Sequence, residues 1–466
     1  MASLYGLVYE SLVQIDDDYL PQPLLAESWE QSGGGKTWTF RLRENVTFSD
    51  GTPLTAHDVV ATAQYILDRA KDENATSKGY YANLRFFVKS ISASGDHTVV
   101  VRAERSYFGL LYAMTFPILK ADQLTADFPV GTGPYVVTGF SASDYMFLSA
   151  NRSWWQNQPK VREISVMMHN TPKDVIASYE YGRVDTIFTR SIAAAQYKSG
   201  SSSLAISSRT NQLETLLMNH SSWKLESQNI RKAIRLAVDP DKIANTVYMG
   251  MVDRTDTPMI PGTWMYNDSL ESYFTHDIEA ARALIEADGW EDSNQDGVYD
   301  RVRDGKLVDL TLTLLVYEEP DNNVRYEAAN VIADELKAIG MDVTVSTTSY
   351  ADMLAKLSAG NFQLALASFA MDVCPDPGFM LISGNTGNYC RYRSSVMTDL
   401  CKSLRTCVSQ SDYQQTLHQI QRQFAEDCPF ICLYYRAGAV LTRRMYTTVR
   451  DVRELELMRG IESFKP

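Results

Sequence analysis

Gln363-Leu-Ala-Leu-Ala-Ser-Phe369-Ala-Met371-Asp372-Val-Cys374-Pro375-Asp376-Pro377-Gly378-Phe379 is the stretch on which the fold turns. An apolar run of strand length ends in an acid, and two prolines and a glycine follow, so the backbone must leave the sheet where the carboxylate emerges. Asp372 is therefore expected at a strand end, with Phe369 and Met371 beside it. Two readings are open: its carboxylate holds a positively charged ligand group against a partly dry wall, where an ion pair is stronger than in water, or it caps the turn that follows.

The sequence on either side of this stretch sets its context. The spacing predicts strands over 308–316, 341–346 and 362–368, and helices over 324–339 and 351–358 that stop at Gly340 and Gly360. Strands alternating with helices imply parallel pairing through right-handed crossovers. Ligands of such sheets gather at the strand carboxyl ends, where Asp372 falls. Beyond an aromatic, polar loop at 384–392, helices are expected over 396–408 and 413–427, then a strand over 429–435.

Nearer the amino terminus, 5–15 is strand-like and 21–29 reads as a connection. The run Thr37-Trp-Thr-Phe-Arg-Leu-Arg43 alternates with period two, the mark of a strand with one buried face. Thr55 is placed as a helix N-cap with Asp58 three residues on, and Val59, Val60, Ala63, Ile66 and Leu67 form the inward stripe. His57 has no second histidine nearby and belongs on the surface. Gly131-Thr-Gly133-Pro134 fixes a tight bend before a strand. It lacks the Lys-Ser/Thr of a phosphate loop and is not GxGxxG, so it reads as a crossing between domains. Strands at 92–102, 146–150 and 163–168, and helices at 172–181, 227–238 and 277–290, complete the pattern.

Composition narrows the function. The chain has 466 residues, enough for two or three domains, and 45% apolar content supports a substantial core. A formal net charge of −13 argues against a nucleic-acid partner, because phosphate binding needs a basic surface. No run approaches the roughly 20 apolar residues that cross a bilayer. The opening Met1-Ala-Ser-Leu-Tyr-Gly lacks the basic start and apolar centre of a secretion signal, and a signal already removed stays open. The six cysteines, Cys374, Cys390, Cys401, Cys407, Cys428 and Cys432, have no CxxC spacing; buried thiols or disulfides remain the alternatives to metal. Asp292-Ser-Asn294-Gln-Asp296-Gly297 has the oxygen spacing of a calcium loop, but Arg303 stands at the twelfth position, so an Asx-rich turn is favoured. There is no GxSxG or HExxH, which leaves a secreted hydrolase as the weakest class.

Taken together, several stretches resemble the solute-binding proteins that feed ABC importers of peptides and nickel complexes. They are Thr37 to Arg43 with Phe48-Ser-Asp-Gly-Thr-Pro-Leu-Thr-Ala-His-Asp-Val-Val, Gly131-Thr-Gly-Pro-Tyr, Ile230-Arg-Lys-Ala-Ile-Arg-Leu-Ala-Val-Asp, 280–290, Leu336-Lys-Ala-Ile-Gly-Met-Asp-Val and the Asp372 segment. The resemblance spans nearly the whole chain. It implies an α/β, bilobed periplasmic-binding-protein-like fold of the large peptide-binding class with an extra inserted small domain. On that reading 1–28, 129–215 and 436–466 form one lobe, 29–128 the inserted domain and 216–435 the other lobe. The lobes would close on the solute by hinge motion.

The resemblance also implies function: non-catalytic, extracytoplasmic capture of a short peptide or other small solute by a monomer, without a cofactor, and delivery to permease subunits. In peptide-binding relatives an aspartate at the position of Asp372 holds the ligand's α-ammonium group, and main-chain groups pair with the peptide backbone. Tyr9-Glu10-Ser11 would supply one backbone wall and Tyr434 and Tyr435 the opposite edge, while Tyr81, Tyr350 and Asn388 to Arg391, with Tyr389 among them, would line pockets. The sequence departs from the pattern where Phe369 replaces the common tryptophan and Cys374 lengthens the turn. Arg391 and Arg325 are the candidates for a peptide carboxylate. A nickel chelate, haem or oligosaccharide in the same fold is the alternative, motivated by Met371, Met380, Trp154 and Trp264.

Overall fold

Alternating apolar spacing and well-placed helix stops build this chain as strand and helix layers. In the computed structural model, which describes residues 4–72, 81–197, 204–319, 323–373, 376–443, 452–453, 456 and 458–463, they divide into two units. The first takes Met1–Thr210, Arg405–Asp412 and Ala437–Pro466; the second takes Asn211–Leu404 and Tyr413–Arg436.

In the first unit, Trp38, Phe40 and Leu42 turn inward from strand Thr37–Leu42, which lies in a four-stranded antiparallel sheet with Ala26–Ser32, Thr98–Ala103 and Val88–Ala93. Helix Ala56–Lys71 buries Val59, Ala63, Leu67 and Ala70, and leaves Val60 and Ile66 half-buried. Its start is fixed by Asp58, whose Oδ2 accepts from Thr55 N at 2.9 Å and Thr55 Oγ1 at 2.8 Å. His57 is on the surface, 3.9 Å from Asp96. A three-stranded sheet of Tyr135–Ser141, Tyr145–Ala150 and Glu163–Met167 follows.

The Gly131 bend has a steric cause. A Cβ on Gly131 would lie 1.9 Å from Val8 O, and one on Gly133 2.8 Å from the same oxygen, to which Gly133 N donates at 2.9 Å. The segment 5–15, expected as a strand, is instead a helical turn Tyr5–Val8 followed by strand Val13–Ile15. Leu7 and Val8 pack on Tyr135, Met146 and Leu148, and adjacent apolar residues fill one helical turn as readily as a strand.

In the second unit, strand Thr311–Tyr317 pairs in parallel with Asp342–Thr348 and with Leu364–Ala370, and helices Val324–Ala338 and Tyr350–Ala359 make the two connections. Leu364–Ala370 pairs on its other side, antiparallel, with Gln212–Met218. Leu364 to Ala367 are all buried, as a strand covered on both faces requires. Where 308–316 was expected to be one strand, a hairpin of Asp300–Arg303 and Lys306–Asp309 precedes Thr311. The break is the buried Leu310, whose N–H goes back to Tyr299 O at 2.7 Å. Pro240, expected to end a helix, also begins the next one, Pro240–Thr246, where its missing N–H costs nothing.

The side chains of the 292–300 loop accept from its own backbone: Asp292 takes Asp296 N and Gly297 N, each at 3.0 Å, and Asp296 takes Val298 N at 2.9 Å. That is the geometry of an Asx turn. Cys390, Cys401, Cys428 and Cys432 are buried thiols, and burial pushes the Cys390 thiol up to about 12. Cys374 lies outside the described residues.

Candidate functional site

Parallel pairing puts the carboxyl ends of three strands, Tyr317, Thr348 and Ala370, on one edge of the second unit's sheet. Asp372 leaves that edge two residues past Ala370. It is exposed and makes no hydrogen bond or ion pair with the described residues. The turn after it is capped by a different acid, since Asp376 Oδ1 accepts from Gly378 N at 2.9 Å. Met371 is buried and its N–H goes to Asn211 O at 2.8 Å. Phe369 is buried too, stacked on Tyr389 at 6.0 Å and edge-on to Phe379 at 5.9 Å. These rings form an apolar cluster on the strand that Asp372 leaves.

Tyr350, the first residue of its helix, is exposed near the same edge, its ring 5.2 Å from that of Tyr317. Arg391 is elsewhere: it packs on Gly360 and donates to Ser358 O at the far end of the Tyr350–Ala359 helix, where a cation offsets the helix dipole. Tyr434 is fully buried with its ring 4.7 Å from Tyr248, so it is core in this unit, and Tyr435 is buried beside it. Met380 is buried, and Trp264 packs on Tyr413 at 6.2 Å.

In the first unit Tyr9 donates its hydroxyl to Pro129 O at 3.1 Å, and burial pushes its phenol up to about 12. Tyr81 is half-buried ahead of the turn Ala82–Phe86. Ser11 donates to Val13 O at 2.7 Å. The Glu10 side chain is buried and accepts three N–H groups, from Trp155 at 2.8 Å, Trp154 at 3.2 Å and Gln156 at 3.4 Å. Among the described residues no lysine or arginine pairs with it, and burial raises its pKa against the pull of those donors.

Sequence reasoning named Arg325 as a candidate for a solute carboxylate but missed the three charges it joins, Glu214, Glu319 and Arg436. Arg325 Nη1 is 2.5 Å from Glu214 Oε2 and its Nη2 is 2.8 Å from Glu214 Oε1, a two-pronged pair. Arg436 Nε is 2.8 Å from Glu214 Oε1, and its Nη2 donates to Glu319 at 3.0 Å. Glu319 Oε1 also takes Arg325 Nε and Nη2, each at 3.2 Å, and the Tyr317 hydroxyl at 3.2 Å. Burial alone would raise the pKa of Glu214; Arg325 and Arg436 outweigh it and hold the carboxyl below the usual range. The available signal was Glu214 itself, a lone acid in the apolar run Leu213 to Met218 that demanded a cation.

A parallel sheet with helical crossovers and, among the described residues, an unpaired acid at its carboxyl edge are what a ligand-binding α/β sheet presents. The family model described as "Bacterial extracellular solute-binding proteins, family 5 Middle" matches residues 21–389, and the chain belongs to that family. It is similar to the oligopeptide-binding protein AppA of Bacillus subtilis, with 23% identity over 454 residues that cover 92% of this chain and 81% of that one. Heme-binding protein A of Haemophilus influenzae is 24% identical over 463 residues, 92% of this chain and 82% of its own. Among solved structures, NikA from Brucella suis in complex with Fe(III)-EDTA shares the fold with a TM-score of 0.81 at 20% identity, covering 100% of this chain and 95% of that one.

Proposed function

We propose that this protein captures short peptides outside the cytoplasm and delivers them unchanged to the permease of an ABC importer. Asp372 would hold the peptide's α-ammonium group, with Tyr350 beside it as an aromatic contact. The observation that carries this reading is the exposed Asp372 carboxylate, which has no hydrogen-bond or ion-pair partner among the described residues and follows a strand carboxyl end whose last residues include the buried Phe369 and Met371. A carboxylate of this kind costs nothing to desolvate until a cation arrives, and then forms a charge-assisted bond. On this reading 1–28, 129–215 and 436–466 act as one lobe, 29–128 as an inserted domain and 216–435 as the other lobe. The protein acts as a monomer.

Calorimetry with alanine di- to pentapeptides tests the proposal. Asp372→Ala weakens binding by about 1.5 kcal/mol or more, as removal of one charge-assisted bond should, and N-acetylation of the peptide costs a similar amount. Unchanged affinity on either change defeats the assignment of Asp372. Native mass spectrometry of the purified protein separates a retained peptide from a metal chelate, haem or an oligosaccharide by mass, and turnover of the peptides at stoichiometric protein would instead indicate a hydrolase.

A further inference from the structure

We propose that Glu319 is an internal stand-in for a solute carboxylate: it occupies an anion site made by Arg325 and Arg436, and an incoming carboxylate exchanges with it. The inference rests on the reading above only for the identity of that carboxylate, the free carboxyl end of a peptide.

The argument begins with charge. Glu214 neutralises one of the two guanidiniums, and it is locked in place: its side chain is 0% exposed and sits on a strand paired through Gln212–Met218, while Arg325 is 1% exposed. Ser368 Oγ donates to Glu214 Oε1 at 2.8 Å and fixes it further. Arg325 is buried and Arg436 is 19% exposed, and two guanidiniums against the single carboxylate of Glu214 leave a positive charge that a second carboxylate balances. Glu319 is that carboxylate.

Glu319 differs from Glu214 in what holds its backbone. It lies two residues past the end of strand Thr311–Tyr317, in a single β-bridge on the way to helix Val324–Ala338, whereas Glu214 sits inside a seven-residue ladder. Solvent reaches the cluster at this member and its partner only: the side chain of Glu319 is 13% exposed and that of Arg436 19%, against 0% and 1% for Glu214 and Arg325. A solute carboxylate therefore reaches the cluster where Arg436 and Glu319 meet water.

Exchange conserves charge. Before it the cluster holds two guanidiniums and two carboxylates; after it the count is the same, with one carboxylate supplied by the solute and Glu319 returned to water. The released side chain regains hydration, so the step selects for a group that matches a carboxylate in charge and in its two acceptor oxygens, and against an amide or ester. Ser368, which touches the cluster, is four residues before Asp372 on the same strand end, so a zwitterion finds a partner for each of its charges within one unit.

The experiment is chemical rescue. Glu319→Ala leaves Arg436 and Arg325 short of one anion, and its thermal midpoint falls. Sodium acetate at about 100 mM should restore most of that loss while sodium chloride of equal ionic strength does not, and wild type, whose site is filled, should respond equally to both salts. Acetate that stabilises variant and wild type alike, or neither beyond chloride, overturns the proposal and leaves the four charges a purely structural staple. Calorimetry with trialanine and trialanine amide reads the same site: the preference for the free acid should rise about tenfold in Glu319→Ala, and an unchanged preference overturns the exchange. Should Glu319→Ala fail to fold, Glu319→Gln takes its place in both measurements with the same two readings. If wild type binds neither tripeptide, the peptide reading falls while acetate rescue still decides this one.

Discussion

Glu10 in the first unit and Glu214 in the second are both buried carboxylates, yet burial raises the pKa of Glu10 while two guanidiniums lower that of Glu214. The first is solvated by neutral donors, the indole N–H groups of Trp154 and Trp155 and the Gln156 amide; the second by ions. Three N–H dipoles are enough to keep a carboxylate in the fold, but they do not recover its full hydration. An ion pair does so at the cost of burying a second charge, and that charge is then stranded if the acid is removed. The comparison separates two kinds of fragility: one acid can be neutralised with little harm, the other cannot.

The largest expected effect is on the ionic side. Glu214→Gln leaves Arg325 and Arg436 to share Glu319 alone and should lower unfolding stability by about 3–5 kcal/mol in urea at neutral pH. Because the folded pKa of Glu214 lies below its ordinary value of 4.5, its contribution is present above that value and is lost as the pH falls through the folded one, so the deficit of the variant shrinks in acid. A loss below about 1 kcal/mol would break the comparison.

Next in size is a half-buried base whose neighbour Asp427 does not offset its desolvation. Burial, and then Arg231, push the His220 pKa down from 6.5 to about 4 while its ring nitrogen stays 2.9 Å from Pro429 O. The folded state therefore binds fewer protons than the unfolded chain across that window, and stability falls as the pH drops from 6.5 to about 4. A shift of that size corresponds to about 3 kcal/mol, and His220→Gln should flatten that part of the pH profile. An unaltered slope would assign the acid sensitivity to other groups.

The smallest effect belongs to Glu10. Glu10→Gln keeps one acceptor for the indole donors and removes a desolvated charge, so the net loss at neutral pH should be about 1 kcal/mol. With a raised folded pKa, the wild-type carboxyl has its full stability below its ordinary value of 4.5 and loses it as the pH climbs through the folded one. The variant should thus gain on wild type with increasing pH. A Glu10→Gln cost as large as that of Glu214→Gln would mean that Glu10 has an ionic partner after all.

Local pattern carried much of the fold. Period-two spacing located Thr37–Leu42, the Thr55 and Asp58 pair located the start of Ala56–Lys71, and Gly340 and Gly360, at φ 82 and 76, ended the two crossover helices. The parallel pairing around Thr311–Tyr317 followed from the order of elements. What failed was decided at a distance. The helical turn Tyr5–Val8 depends on Tyr135 and its neighbours, and the hairpin ahead of Thr311 on Leu310 reaching back to Tyr299. At the site, the exit of Asp372 from its strand was legible because two prolines and a glycine leave few alternatives. That Asp376 makes the cap, that Arg391 closes a helix and that Tyr434 is core are tertiary facts. Glu319 and Arg436 lie 117 positions apart in the chain, and no local window joins them.

The two glycines over Val8 leave an asymmetric mark on what mutation can reach. Because Gly131 and Gly133 meet Val8 through its carbonyl, the grip on the amino-terminal turn is blind to which apolar side chain Val8 carries. Substitution at Val8 is therefore judged by its packing on Tyr135, Met146 and Leu148 alone, whereas a single methyl at 131 would lie 1.9 Å from the Val8 oxygen.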